Sequence, residues 1–167
     1  MKHMNTKHIT RLALLTTIAL ILFTVEAQLP PLVPIPGVKL GLANIVTVYA
    51  MFRYGPRDAL LILLARVFLG SVFAGAMMAF LFSLAGGLLC WLIMIPLRRI
   101  LSEQQIWVCG IIGAVFHNIG QMLVCLAVYQ TTAVLVYLPV LMLSGILTGL
   151  FTGLVAYFLL KWLKDRV

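Results

Sequence analysis

Residues 105–128, QIWVCGIIGAVFHNIGQMLVCLAV, decide the fold. The run has no Asp, Glu, Lys or Arg and exceeds the roughly 20 apolar residues an α-helix needs to cross a bilayer. Its middle is nonetheless polar. Gly110, Gly113, His117 and Gln121 recur at helical spacing on one face, with Asn118 beside them. A spanning helix must turn such a face away from lipid and toward other helices.

The rest of the chain has the same character. Of its 167 residues, 63% are hydrophobic and 10% charged, with a mean hydropathy of +1.15; soluble domains hold about 45–50% apolar residues. The fold class is therefore an all-α polytopic membrane protein. Hydrophobic runs and breakers place six spans at roughly 9–28, 38–53, 57–74, 76–97, 105–128 and 135–160, forming one transmembrane domain over 1–167. Only a dip of small residues, Gly70, Ser71, Gly75 and Ala76, separates the third from the fourth.

Charge placement supports that count. Lys2, Lys7 and Arg11 precede the first span, Arg53 and Arg57 separate the second and third, Arg98 and Arg99 follow the fourth, and Lys161, Lys164 and Arg166 follow the sixth. Ten of the 12 basic residues thus fall on one side, the pattern of cytoplasmic loops. Both termini are expected inside, in a multi-pass protein of a bacterial cytoplasmic membrane. The net charge of +8 reads as topology and attraction to anionic lipid, not as a nucleic-acid patch. Val25-Glu26-Ala27 loosely imitates a leader cleavage site, but losing the first span would leave an odd number of helices, so retention is expected.

Cys90, Cys109 and Cys125 lack the short paired spacings of zinc or redox sites and read as packing residues. His3 and His8 lie before the first span and His117 stands alone, so neither a metal nor a cofactor is expected. Gln28 to Gly37 contains four prolines in ten residues and cannot be helical; it reads either as a stiff lid over an outward-facing pocket or as a rigid connector. The second span opens with Gly37, Gly41 and Asn44 on one expected helical face, while Lys39 points elsewhere.

Arg66 lies inside the third span. It keeps its proton at any relevant pH and needs a carboxylate, several carbonyls or an anionic ligand. Asp58, Glu103 and Asp165 are assigned to the inner side, which leaves Glu26 as the outer acid. Glu26 can satisfy either Lys39 or Arg66; the remaining cation either calls for an anionic ligand or, if Glu26 bridges Arg66, is a Lys39 that snorkels to the outer headgroups. Gly145, Gly149 and Gly153 form a small-residue face on the sixth span, read as packing within the bundle. Ala13 and Thr17 form another on the first, open to the bundle or to a partner helix.

Glu26-Ala-Gln-Leu-Pro30, Pro36-Gly-Val-Lys-Leu-Gly-Leu-Ala-Asn44, Arg53-Tyr-Gly-Pro-Arg-Asp58, Arg66-Val-Phe-Leu-Gly70, Ser83-Leu-Ala-Gly-Gly87 and His117-Asn-Ile-Gly-Gln121 together resemble the Gx transporter or heptaprenyl diphosphate synthase component I family. The likeness covers nearly the whole chain. The plan of six spans and a loop after the first also resembles the substrate-binding S component of energy-coupling factor transporters. That resemblance implies an outward-facing pocket closed by the first loop. It also implies a docking face at Ala13 and Thr17, where threonine replaces the usual second alanine.

Two functions follow from the resemblance. The first is a small-molecule-binding subunit of an uptake transporter, with Arg66 neutralising an anion, His117, Asn118, Gln121 and Asn44 orienting it, and Lys39 with Glu26 at the pocket mouth. ATPase and coupling subunits would be separate, because the chain has no Gly-x-x-x-x-Gly-Lys-Ser/Thr loop. The alternative is a non-catalytic membrane partner of a prenyl diphosphate synthase. The chain is not expected to be the enzyme, since Asp58 and Asp165 form no cluster to hold Mg²⁺ on a diphosphate. No convincing internal repeat supports a stand-alone carrier.

Overall fold

The computed structural model describes residues 6–29, 41–75 and 77–164. Those residues form six α-helices and no strand: α1 (Thr6–Ala27), α2 (Asn44–Arg53), α3 (Pro56–Ala74), α4 (Met77–Ile100), α5 (Ile106–Tyr129) and α6 (Leu138–Lys164). Short 3₁₀ turns at Glu103–Gln105 and Thr132–Tyr137 lead into α5 and α6. Four helical segments are long and apolar enough to cross a membrane: α1, α4, and α5 and α6 with their 3₁₀ turns.

Each boundary has a local cause. Pro56 opens α3, where its missing N–H costs no helical bond. Gly75 closes α3 in the left-handed region at φ +60°, its N–H bonded to the Val72 carbonyl. In α1 the hydroxyls of Thr10, Thr16, Thr17 and Thr24 each donate to the carbonyl four residues back, so they enter an apolar setting with their donors satisfied.

The second helix departs from expectation. The sequence pattern starts it at 38, but Gly41 sits at φ +84° and the chain turns through Leu42 and Ala43 before α2 begins at Asn44. Gly41 and Asn44 therefore do not share a helical face; Gly37 lies outside the described residues, as do residues 30–36 of the proline-rich segment. With ten residues at 1.5 Å each, α2 covers about 15 Å, half the hydrocarbon thickness.

The helices alternate in direction, which gathers Lys7, Arg11, Arg53, Arg57, Arg98, Arg99, Lys161 and Lys164 at one end of the bundle. Two cross-links sit there: His8 Nε2 lies 3.3 Å from Asp58 Oδ1, tying α1 to α3, and Lys164 Nζ lies 2.9 Å from Glu103 Oε2. Trp91 Nε1 donates to the Pro56 carbonyl at 2.8 Å, fixing α4 against the start of α3.

Packing is densest around α5, which lies between α4 and α6. Glycines allow this. A Cβ on Gly110 would collide with the Gly149 carbonyl, and one on Gly149 would come within 2.6 Å of Ile111 Cα. Backbone therefore meets backbone, as suits helices in lipid, where close packing replaces the hydrophobic driving force. The packing reading of Gly145, Gly149 and Gly153 agrees with this contact. Cys90, Cys109 and Cys125 are buried.

Two apolar clusters divide the interior. One, toward the basic end, contains Met51, Cys90, Met94, Ile106 and Cys109; the other, toward the opposite end, contains Phe82, Met122, Cys125 and Leu141. Between them lies a layer that includes buried Asn44, Arg66, Ser83 and His117.

Gly149→Ala is expected to lower stability by about 1–3 kcal/mol through overpacking, read as a lower denaturation midpoint in detergent. Leu143→Ala, on the exposed face of α6, should change it by less than about 0.5 kcal/mol.

Candidate functional site

The site begins where α2 fails to extend. The turn at Gly41 leaves backbone N–H groups without helical partners, and Glu26, in the last turn of α1, takes two of them. Its Oε1 accepts from Gly41 N and its Oε2 accepts from Leu42 N at 2.9 Å. Glu26 is only 5% exposed. A carboxylate that accepts two backbone N–H groups is held in one orientation.

Arg66 answers that charge. It lies ten residues into α3, about 15 Å from the helix start, and is 3% exposed. Glu26 acts on it electrostatically, and Nη2 donates to Asn44 Oδ1 at 3.4 Å. The remaining guanidinium capacity is large, since Arg carries five N–H donors. Among the described residues Nε has no hydrogen-bond partner.

His117 completes the layer from α5. Its ring lies against Gly41 and Gly86: a Cβ on Gly41 would sit 3.4 Å from His117 Cδ2 and 2.8 Å from Asn44 Nδ2, and one on Gly86 would sit 2.9 Å from His117 Nδ1. Both glycines thus admit the imidazole. The Gly86 backbone lies close enough to act on the ring, but Nδ1 makes no hydrogen bond of normal geometry with any described residue. The positive charge of Arg66 reaches the same ring.

The structure brings Glu26, Asn44, Arg66 and His117 together and turns Asn118 elsewhere. Asn118 Nδ2 donates to the Leu141 carbonyl of α6, in space left by Gly145. Gln121 is fully buried one helical turn beyond His117. Lys39 lies outside the described residues. Ala13 and Thr17 are exposed on α1, away from this layer.

Sequence reasoning missed Thr47 and Ser83. Thr47 is 1% exposed, one turn past Asn44 on the same face of α2, and its Oγ1 has no partner among the described residues. A spacing of three from Asn44 was the available signal. Ser83 is 5% exposed one turn before Gly86, within the Ser83-Leu-Ala-Gly-Gly87 stretch.

Three buried polar atoms, on Thr47, Arg66 and His117, therefore lack partners among the described residues. Such groups cost about 1–3 kcal/mol each when left unsatisfied, so they mark where polar partners belong: an acceptor for Arg66 Nε, and a donor or an acceptor for Thr47 Oγ1 and His117 Nδ1. No three His, Cys, Asp or Glu side chains group as metal ligands among the described residues. The layer combines a guanidinium, a carboxylate and the polar side chains of Asn44, Thr47 and His117, all buried.

Fold and site together define a polytopic helical membrane protein with a charged layer buried in its bundle. The family model for heptaprenyl diphosphate synthase component I matches residues 15–159, and the chain belongs to that family. Neither a curated protein nor a solved structure matches it.

A double-mutant cycle tests the charge balance. Glu26→Gln and Arg66→Met should each destabilise the protein by about 3–5 kcal/mol, because each strands a buried charge. The double variant should lose clearly less than the sum, measured as denaturation midpoints in detergent. Additive losses would show that the two side chains do not act as a pair.

Proposed function

We propose that this protein is a non-catalytic, ligand-binding membrane subunit that holds a small anionic molecule in the Glu26, Asn44, Arg66 and His117 layer. A partner subunit supplies the chemistry that follows. Arg66 carries the reading. An arginine at the bilayer centre costs about 2.5–3.5 kcal/mol on insertion scales and by default marks a functional site. Its one described hydrogen bond is long, at 3.4 Å, and a phosphate or carboxylate oxygen would match the donors that remain.

Family membership supports a prenyl diphosphate synthase as the partner. A component I implies another component, and the diphosphate group is an anion of the kind a buried guanidinium recognises. This chain has four acids in all, Glu26, Asp58, Glu103 and Asp165. Glu26 is held by backbone N–H groups, and Asp58 and Glu103 pair with His8 and Lys164. The carboxylates that bind Mg²⁺ on a diphosphate then belong to the partner.

A second reading is the substrate-binding subunit of an uptake transporter, served by separate ATPase and coupling subunits of the energy-coupling factor type. The depth of the site favours it. A protein that only anchors a synthase needs no polar layer between two apolar clusters, whereas transport proteins commonly bind near the midplane beside interrupted helices. In both readings the basic end faces the cytoplasm, as the charge asymmetry supports, and Ala13 and Thr17 offer a helix-docking face.

Mass spectrometry of proteins retained by the tagged chain from native membranes in mild detergent separates the two. An aspartate-rich synthase is the expected companion; an ATPase pair with a membrane coupling subunit would establish the transport reading instead. In either case extraction of the purified protein should release a bound phosphate- or carboxylate-bearing metabolite. Arg66→Gln should reduce that yield at least about tenfold, since a charge-assisted bond is worth roughly 1.5–3 kcal/mol. Equal yield from folded Arg66→Gln protein would remove the anion site from the proposal.

A further inference from the structure

A second opening lies at the basic end of the bundle, apart from the Arg66 layer. Helix α1 packs on α2 and α3, and α6 packs on α2 and α5, but α1 and α6 make no extended contact with each other. The buried face of α2 is therefore left as the floor of a groove of about 520 Å³ between them. Its walls are almost wholly apolar, with Ile18 on α1 and Leu159 on α6 among the exposed residues that flank it. Polar chemistry is confined to one end, where Arg11 and Arg53 line the groove beside Tyr49 and Tyr54.

The dimensions limit the occupant. From Arg11 to Leu22 the groove follows roughly 16 Å of α1 at 1.5 Å per residue. Over that length the groove holds about 520 Å³, room for a single hydrocarbon chain lying along α1.

The charges say what the chain is attached to. Asp58 and Glu103, the described acids at this end, are engaged by His8 and Lys164. No ion pair with a described carboxylate involves Arg11 or Arg53, and both are exposed. Arg53 also lies over the Tyr54 ring, 5.9 Å from its centroid, which limits the volume it sweeps. Apolar walls alone attract no lipid from lipid, so selection must come from the arginines. Two guanidinium groups lining one end of a hydrocarbon slot match a phosphate ester.

We infer that the groove between α1, α2 and α6 is a site for an anionic phospholipid of the surrounding bilayer, with one acyl chain along α1 and its phosphate between Arg11 and Arg53. The second acyl chain stays in the bilayer, since the groove is open on its lipid side. The bilayer is the source because the groove is reached laterally, with no passage through the bundle. The assignment is independent of the ligand proposed for the Arg66 layer.

Native mass spectrometry of the delipidated full-length protein, titrated with phosphatidylglycerol and phosphatidylcholine of matched chains, tests the site. With about 1 kcal/mol for each basic residue near the headgroup, the expected preference for phosphatidylglycerol is about 30-fold (1.4 kcal/mol per tenfold). It should fall to within about threefold in the R11Q/R53Q variant, whose changes are on the surface. Ile18→Trp, which fills the slot, should weaken both lipids. Equal binding of the two lipids, or a preference that survives R11Q/R53Q, would overturn the assignment. So would glycerol phosphate competing at the same concentration as the lipid, which would mean a free-anion site. Displacement of phosphatidylglycerol by a prenyl phosphate at tenfold lower concentration would give the groove to an isoprenoid instead.

Discussion

The structure depends on keeping a guanidinium charged in a place that water does not reach. Arg66 cannot escape by losing its proton, so the bundle must supply compensation. It does so from two other helices: a carboxylate at the end of α1 and an amide at the start of α2. Those helices are thereby fixed relative to α3 by electrostatics as well as by packing. Further along α1, Phe23 rests on Gly70, where a Cβ would come within 2.9 Å of the ring. The charge and the small residue act on the same pair of helices.

The other half of the bundle is organised differently. Helices α4, α5 and α6 are joined by backbone approach at Gly86, Gly110, Gly120 and Gly149, with Asn118 as one polar link to α6. Interhelical bonds of that kind contribute about 0.6 kcal/mol on average, so van der Waals contact dominates here. His117 stands on the border between the halves. It belongs to the glycine-packed set through Gly86 and to the charged set through Gly41 and Arg66.

Much of this was legible in the sequence. Six helices follow from apolar runs because lipid leaves the backbone few other conformations. The inward face of α5 follows from the spacing of Gly110, Gly113, His117 and Gln121, all of which are buried. The start of α2 was not legible, because Leu40 to Leu42 are as apolar as the helix that follows. What interrupts it is a partner 15 residues away in sequence: Glu26 offers Gly41 and Leu42 acceptors that a helix would have supplied locally. The same long-range effect hid the partner of Asn118, the Leu141 carbonyl that α6 presents to it. Thr47 was missed because threonine commonly satisfies itself on its own helix, as it does four times in α1, and Thr47 does not.

The short α2 ties these observations to function. Non-helical backbone within the depth of a membrane persists only where protein or a cavity surrounds it. The turn at Gly41 meets that condition through Glu26, and Asn44, three residues on, reaches Arg66 near the middle of the bundle. Had α2 continued as a regular helix, the N–H groups of Gly41 and Leu42 would have been used internally and Glu26 would have faced an apolar wall. Glu26 would then have been too costly to keep, and Arg66 with it. The interruption, the carboxylate and the guanidinium therefore stand or fall together, and the layer they form is polar because the helix stops there.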